Sequence, residues 1–312
     1  MASLKQRIKA IAPVGLTHWA KTRAQHARLK RSGAAEALAA AQPAEARLPL
    51  DALRELAAEF PPPPSIDWEG EACVAASAEL GQTRVQWMRK FLGSRLSPGA
   101  RCLELGAGDG AVASALAQTG VQVLAVDIQR GVFDETGLHT HVDFLEADVE
   151  KLEAVEDDRF DLVYSFDSVE HFGNPEAALA EALRVTRPGG YVYLRFGPLY
   201  DAPDGKHLGD RLGVPYAGVL CEDETIDALM AEQGRDPINH EYCNHWPLAR
   251  YRELFAPRPE RYEIVRAFDH LDLSAVELIA RFPEVFRRRA AMVDAFLVNV
   301  IEILLRKPTQ PR

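Results

Sequence analysis

This sequence contains little cysteine, no long apolar run and no paired metal-binding motif. The 312 residues include four scattered cysteines, and none of them forms a Cys-x-x-Cys pair that would suggest zinc: Cys73, Cys102, Cys221 and Cys243. This usage favours a reduced protein of the cytoplasm. No run of about 18 apolar residues occurs, so no membrane-spanning helix is expected. The N-terminus has no apolar core followed by a small-residue cleavage site, so no signal peptide is expected.

The sequence also has no excess of positive charge. The net charge is −10 and the pI is about 5.5, which argues against a general nucleic-acid binder. Residues 1–31 nevertheless hold eight Lys and Arg and no acid, leaving 28 basic against 46 acidic residues elsewhere, a balance of −18. This basic segment either lies peripherally on an anionic membrane or partner surface, or packs on the domain through Leu4, Ile8, Ile11 and Trp19. The broken apolar stripe favours packing, and no pattern indicates an oligomeric state.

Two helices are predicted before the first strand. Apolar residues between Leu50 and Phe60 recur at helical spacing, and four prolines at positions 61–64 end that pattern. A second, longer apolar pattern predicts a helix over residues 70–92. We therefore place a boundary at residue 61, with an N-terminal helical extension over residues 1–60.

The stretch Arg101–Gly110 carries the strongest motif. A short apolar strand runs into a turn with glycines at 106, 108 and 110, and the next residues open a helix. Glycines accept positive φ without strain and let a ligand approach the backbone, as in nucleotide-binding strand–turn–helix units. The spacing differs from the Gly-x-Gly-x-x-Gly of dinucleotide binders. Glu104, two residues before the first glycine, suits a ligand that carries a cation.

This stretch resembles motif I of the class I S-adenosylmethionine (SAM) methyltransferases, type 11/12-like, in which an acidic residue and any residue precede Gly-x-Gly-x-Gly. The resemblance extends over about a third of the chain, from Arg101 to Phe196, and includes the turn Arg187-Pro188-Gly189-Gly190. It implies SAM as the cofactor and S-adenosylhomocysteine as the product. The methionine part of SAM would then lie beside Gly106, Gly108 and Gly110.

Acids at the ends of the next strands complete the predicted cofactor site. Asp127 ends the second strand about twenty residues past the glycine turn, where a carboxylate accepts both ribose hydroxyls. The resemblance implies that Asp148 accepts from the adenine amino group, with the Val149 backbone nearby. The predicted cofactor contacts also include Ile128, after the ribose acid, and Phe166, after the fourth strand.

Strands and helices alternate over residues 101–196, which predicts an α/β, Rossmann-like, doubly wound sheet. Residues 262–268 and 296–305 are predicted as a C-terminal antiparallel hairpin that brings the sheet to seven strands, with a helical insert between them. The region from residue 197 to about 244 is predicted to be irregular, as in a lid or substrate insert. We assign residues 61–200 to the SAM-binding core, and residues 201–312 to the insert and the final strands.

Three side chains are the candidate catalytic residues: His171, His207 and Asp167. His171 follows the fourth strand, and a histidine near pH 7 can take a proton from a hydroxyl or amine. His207 and His245 lie in the insert and could reach the same site, although each is more often a surface histidine. Aromatic residues of the insert are candidate pocket walls or ordinary core residues: Tyr200, Tyr216, Tyr242 and Trp246. Ligand spacing around Asp167 fits no strong metal pattern, so we predict no metal.

These features predict a SAM-dependent methyltransferase acting on a hydroxyl or amine of a small molecule, sugar or natural product. Two alternatives remain at this point. One is a nicotinamide-dependent oxidoreductase on a related sheet, which the glycine spacing disfavours. The other is a non-catalytic protein of the same fold that binds partners through its basic N-terminus.

Overall fold

A computed structural model describes residues 24–62, 71–131, 133 and 141–309. Seven strands among these residues form one sheet in the order β3-β2-β1-β4-β5-β7-β6. Their bounds are β1 Arg101–Leu105, β2 Gln122–Asp127, β3 Val142–Glu146, β4 Phe160–Phe166, β5 Thr186–Phe196, β6 Glu263–Leu271 and β7 Val298–Arg306. β1 to β5 run parallel, and β7 pairs antiparallel with β5 and β6. The predicted doubly wound sheet with a C-terminal hairpin is confirmed.

The strand order reverses at β1, which lies between β2 and β4. A crevice forms at such a point, at the carboxyl ends of the strands, and ligands of open α/β sheets bind there. The glycine turn follows β1 and therefore lies in this crevice.

Helices surround the sheet, and most follow the sequence patterns. Their bounds are α1 24–32, α2 Ala34–Ala40, α3 Leu50–Glu59, α4 Glu71–Leu92, α5 Ala111–Ala117, α6 Pro175–Val185, α7 Gly209–Leu212, α8 Ala217–Leu220, α9 Asp223–Glu232, α10 Leu248–Leu254, α11 Glu277–Arg281, α12 Pro283–Arg289 and α13 Asp294–Leu297. Asn174 caps α6, because its side chain accepts a hydrogen bond from the Ala177 N–H at 3.2 Å. None of the helices in the described ranges is long and apolar enough to cross a membrane.

Three apolar clusters hold the protein together. One lies on each face of the sheet, because alternate strand residues point to opposite sides: Leu103 belongs to one cluster and Cys102 to the other. The third cluster, which we call the helical core, combines α2 and α3 with α8, α9 and the helices between β6 and β7. The N-terminal helices therefore share a core with two segments that follow residue 200.

The basic N-terminal segment is described only from residue 24, and the prediction for residues 1–23 lies outside the described residues. In α1, Arg28 donates to the Ser274 carbonyl at 3.1 Å, and Leu29 packs against the helical core. Residues 24–31 thus pack on the protein, whereas the predicted packing through Leu4, Ile8, Ile11 and Trp19 lies outside the described residues.

The insert after β5 is more helical than expected. Residues 197–244 were predicted to be irregular, but α9 spans ten of them with Ile226, Leu229 and Met230 buried. Buried positions that are separated by three residues and then by one are typical of one face of a helix. The helical insert predicted between the last two strands, over Ser274–Phe286 with an interruption at Pro283, forms α11 and α12, and Pro283 starts the second of them.

Candidate functional site

A cavity of about 390 Å³ lies at the carboxyl ends of β1, β2 and β4. Residues predicted for the cofactor and for the acceptor both line it: Gly106, Gly108, Asp127, Ile128, Asp148, Val149, Asp167 and His171. A larger groove of about 620 Å³ lies between residues 257–264 and 306–309, away from the strand-order reversal. The smaller cavity is the candidate site, because acids, a histidine and the glycine turn meet there.

The glycine turn needs its glycines for two different reasons. Gly106, Gly108 and Gly110 have φ of 69°, 53° and 74°, which side-chain-bearing residues rarely adopt. A Cβ on Gly106 would lie 2.6 Å from the Ser168 Cβ, and one on Gly110 would lie 2.6 Å from the Phe133 ring. No described atom lies within 4 Å of a Cβ on Gly108, which therefore presents open backbone to the cavity.

Asp127 is held beside this turn. Its Oδ2 accepts a hydrogen bond from the Gly108 N–H at 2.8 Å. The neighbouring Ile128 is 71% exposed, an unusual position for a large apolar side chain. Asp148 and Val149 line the same part of the cavity, and Asp148 Oδ1 accepts from the Glu150 N–H at 2.9 Å. The structure thus brings together two carboxylates and an exposed apolar surface, as a polar sugar and a flat base require.

Glu104 and Phe166 lie beneath the cavity rather than in its lining. Glu104 is 2% exposed, and Tyr164 donates its hydroxyl to Glu104 Oε2 at 3.2 Å. Burial raises the pKa of Glu104 from 4.5 to about 8. Its carboxyl group is therefore neutral at pH 7 in this structure. Phe166 packs on Tyr193, with 5.4 Å between ring centroids.

Helix α4 lies against the glycine turn, and two polar contacts hold it there. Ser77 donates to Asp109, and Arg84 pairs with Asp167 at the cavity wall. Arg195 lies 3.6 Å from the same Asp167 carboxylate. Neither arginine could be identified from the sequence, because each becomes a neighbour of Asp167 only in the folded chain. Asp167 is therefore paired with two arginines at the cavity wall.

His171 and His207 meet at the other end of the cavity. Their rings stack with centroids 5.0 Å apart, and the Tyr242 ring lies 4.3 Å from that of His171. His171 Nδ1 lies 2.7 Å from the Tyr242 carbonyl oxygen, which can only accept, so Nδ1 carries the proton and Nε2 keeps a lone pair. Burial lowers the pKa of His171, which favours this neutral form.

The other candidates of the insert are placed elsewhere. His245 Nε2 donates to the His240 carbonyl at 2.7 Å and its ring packs on Tyr200, while Tyr216 and Trp246 are buried in apolar clusters. Because a carbonyl only accepts, His245 Nε2 is the donor there. Among the four aromatic candidates, Tyr242 lines the cavity.

Comparison with known proteins finds similarity to methyltransferases. Residues 103–194 match the family model of a methyltransferase domain. The chain is 29% identical over 133 residues to a ubiquinone biosynthesis O-methyltransferase of Leptothrix cholodnii, covering 41% of this chain and 56% of that protein. A protein of the same name from Xanthomonas axonopodis pv. citri is 32% identical over 111 residues, or 34% and 46% of the two chains. The chain thus spans about half the length of the curated relatives it matches.

Among solved structures, the chain is similar to a SAM-dependent methyltransferase of Mesorhizobium loti. The TM-score is 0.46 at 19% identity, and the match covers 75% of this chain and 100% of that one.

Proposed function

We propose that residues 103–194, which match the family model of a methyltransferase domain, form a class I SAM-dependent methyltransferase and that the chain transfers a methyl group to a hydroxyl of a small molecule. The observation that carries the proposal is the cavity itself, where the glycine turn, Asp127 and His171 line one space of about 390 Å³. The relatives named O-methyltransferases support oxygen rather than nitrogen as the atom methylated.

The residues present fit SAM. Asp127, fixed by the Gly108 N–H, is the group that would accept the ribose hydroxyls, and the exposed Ile128 offers an apolar surface to the base. Asp148 and Val149 would contact the adenine edge. The open backbone at Gly108 leaves room for the methionine part. Glu104 and Phe166 support the turn from below rather than touching the cofactor.

SAM supplies a methyl group already activated by the positively charged sulfur. The chain's own residues therefore have to align the acceptor, exclude water and receive or release one proton. Arg84 and Arg195 fix Asp167 in the wall, and α4 covers the glycine turn. His171 Nε2 is the atom that can interact with the acceptor hydroxyl, either directly or through a bound ion, and His207 supports its ring.

The three-part division at residues 60 and 200 remains our proposal for the organisation of the chain, with residues 201–312 contributing the acceptor side. We also propose a cytoplasmic location, which the free thiols of all four cysteines support, each being in the described part of the chain.

Isothermal titration with SAM and S-adenosylhomocysteine tests the proposal. The wild-type chain should bind both, and Asp127→Ala should weaken binding about 30-fold or more, because two hydrogen bonds to a charged group are lost. Asp157→Ala, an exposed carboxylate outside the cavity, is the matched control and should bind as the wild type does. Transfer of a radiolabelled methyl group to a panel of phenols and alcohols then identifies the acceptor. A wild-type chain that binds neither compound refutes the proposal.

A further inference from the structure

Three metal-ligating side chains from separate parts of the chain meet beside the cavity. His171 follows β4, His207 lies early in the insert, and Cys243 lies near its end. One ligand atom of each lies within 4.8 Å of those of the other two. In a tetrahedral zinc site such atoms stand about 3.3 to 3.6 Å apart, so binding requires the group to contract by roughly 1 Å.

Hydrogen bonds made by the neighbouring Asn244 hold Cys243 close to the two histidines. Asn244 donates its backbone N–H to the Glu170 carbonyl at 2.8 Å and its side-chain amide to the Val169 carbonyl at 2.9 Å. The end of the insert is therefore joined directly to the turn that carries His171. His207 itself has a left-handed backbone, with φ of 53°, as does Lys206 before it, with φ of 61°. Such conformations are costly for side-chain-bearing residues and occur mainly where a function requires them.

The orientation of His171 is that of a metal ligand. Its Nδ1–H donates to the Tyr242 carbonyl, and Nε2 is left with its lone pair. Metal-binding histidines almost always donate their other ring N–H to a carbonyl or carboxylate, which fixes the ring and its tautomer.

One oxygen of a buried carboxyl group next to the cluster lacks a hydrogen-bond partner. Glu170 is 2% exposed, and its Oε1 accepts from the Gly197 N–H at 3.1 Å and lies 4.0 Å from His171 Nε2. Its other oxygen, Oε2, is buried and hydrogen-bonds with no described group. Buried carboxyl oxygens are nearly always paired, and an ion held by His171 would lie close to this carboxyl group.

We propose that His171, His207 and Cys243 bind one divalent ion of the zinc class, with a fourth position open to the cavity. Two imidazoles and a thiolate suit Zn²⁺ and not Mg²⁺ or Ca²⁺, which take oxygen ligands. This departs from the expectation of no metal, which rested on spacing in the sequence. The spacing in the sequence did not indicate this site, because 36 residues separate His171 from His207 and another 36 separate His207 from Cys243.

The role of the ion rests on the proposed function. An acceptor hydroxyl that enters the fourth position gives up its proton more readily, and the proton passes to water. The oxygen lone pair then forms the new bond to the methyl carbon, while the carbon–sulfur bond breaks and leaves its electron pair on sulfur.

Cobalt titration tests the site without relying on activity. The chelator-treated full chain is titrated with Co²⁺, and absorption spectra are recorded for wild type, Cys243→Ser, His207→Ala and the control Cys73→Ser, which alters a partly exposed cysteine on α4. We expect one Co²⁺ per chain, intense visible bands typical of tetrahedral cobalt, and a thiolate charge-transfer band. Cys243→Ser should remove the charge-transfer band, His207→Ala should weaken binding about 10-fold or more, and Cys73→Ser should change neither.

Titration of each variant with S-adenosylhomocysteine shows whether it is folded and separates the two proposals. A wild-type chain that binds S-adenosylhomocysteine but gives only the weak bands of octahedral cobalt overturns the metal site and leaves the methyltransferase proposal standing. A chain that binds Co²⁺ as expected but neither SAM nor S-adenosylhomocysteine supports the metal site and refutes the methyltransferase proposal. Loss of the charge-transfer band in Cys73→Ser rather than Cys243→Ser also overturns the assignment.

Discussion

The buried carboxyl group of Glu104 should make the stability of the protein depend on pH, and Glu104→Gln should remove that dependence. The side chain is 2% exposed, on the sheet face that α4 and α5 cover. A glutamine has the same shape and can still accept the Tyr164 hydroxyl through its amide oxygen, but it carries no ionisable proton.

The magnitude follows from the two protonation states. Burial raises the pKa of Glu104 from 4.5 to about 8, so between these values the folded chain keeps a proton that the unfolded chain has lost. Because the folded state binds more protons, the free energy of unfolding falls as pH rises, by ~1.4 kcal/mol per pH unit in mid-window. The stabilisation is fully present below pH 4.5 and is lost as pH rises through about 8. From pH 5 to pH 8 this contribution amounts to ~3.5 kcal/mol.

Urea denaturation at pH 5, 6, 7 and 8 and constant ionic strength measures the effect. The free energy of unfolding of Glu104→Gln minus that of wild type should rise by ~3.5 kcal/mol across this range, since all other titrating groups cancel in the difference. Glu153→Gln, at an exposed position, is the control and should give a flat difference. A difference for Glu104→Gln that stays constant with pH would show that the carboxyl group is ionised in the folded chain, contrary to this reasoning.

Three further substitutions test the glycine turn and the ion pair of the buried Asp201. Gly108→Ala should cost ~1 to 2 kcal/mol of stability through its left-handed backbone and weaken SAM binding, whereas Gly106→Ala should cost ~2 to 5 kcal/mol, since its Cβ also meets a side chain at 2.6 Å. Urea denaturation and titration of both variants check this, and equal stability of the two would contradict it. Arg289→Ala leaves the buried Asp201 without its partner at 2.7 Å and should cost ~2 to 3 kcal/mol by urea denaturation. Arg287→Ala on the same helix is its control, and an equal loss there would refute the role of the pair.

The sheet was predictable because its signals are local. Helices separate β1 from β2 and β4 from β5, and each strand has a continuous or alternating apolar pattern that a parallel sheet requires. The helix α9 was missed although its buried positions recur at helical spacing, because the long segment around it shows no clear periodicity. The shared helical core could not be predicted, since it joins α2 and α3 to residues about two hundred positions later.

The candidate site likewise contains residues that could be predicted from the sequence and residues that could not. Asp127 and Asp148 line the cavity as predicted, because their places at strand ends determine where they lie. Side chains alternate between the two faces of β1, and this alternation places Glu104 on the same buried face as Cys102. The prediction that Glu104 suits a cationic ligand rested on its charge and its place in the motif, and it did not use this alternation. Arg84 is 83 residues from Asp167 in sequence, and no pattern within either segment connects them.

The helical core also determines when this protein can fold. Arg288 donates to the Ala44 carbonyl across 244 residues of chain, and Arg28 reaches Ser274 across 246. During synthesis α2 and α3 leave the ribosome long before these partners exist, so their apolar surface stays exposed until residues 274–288 have been made. A ribosome-bound chain stopped at residue 250 should therefore be cleaved readily by protease within residues 34–59, whereas the released full-length protein resists cleavage there.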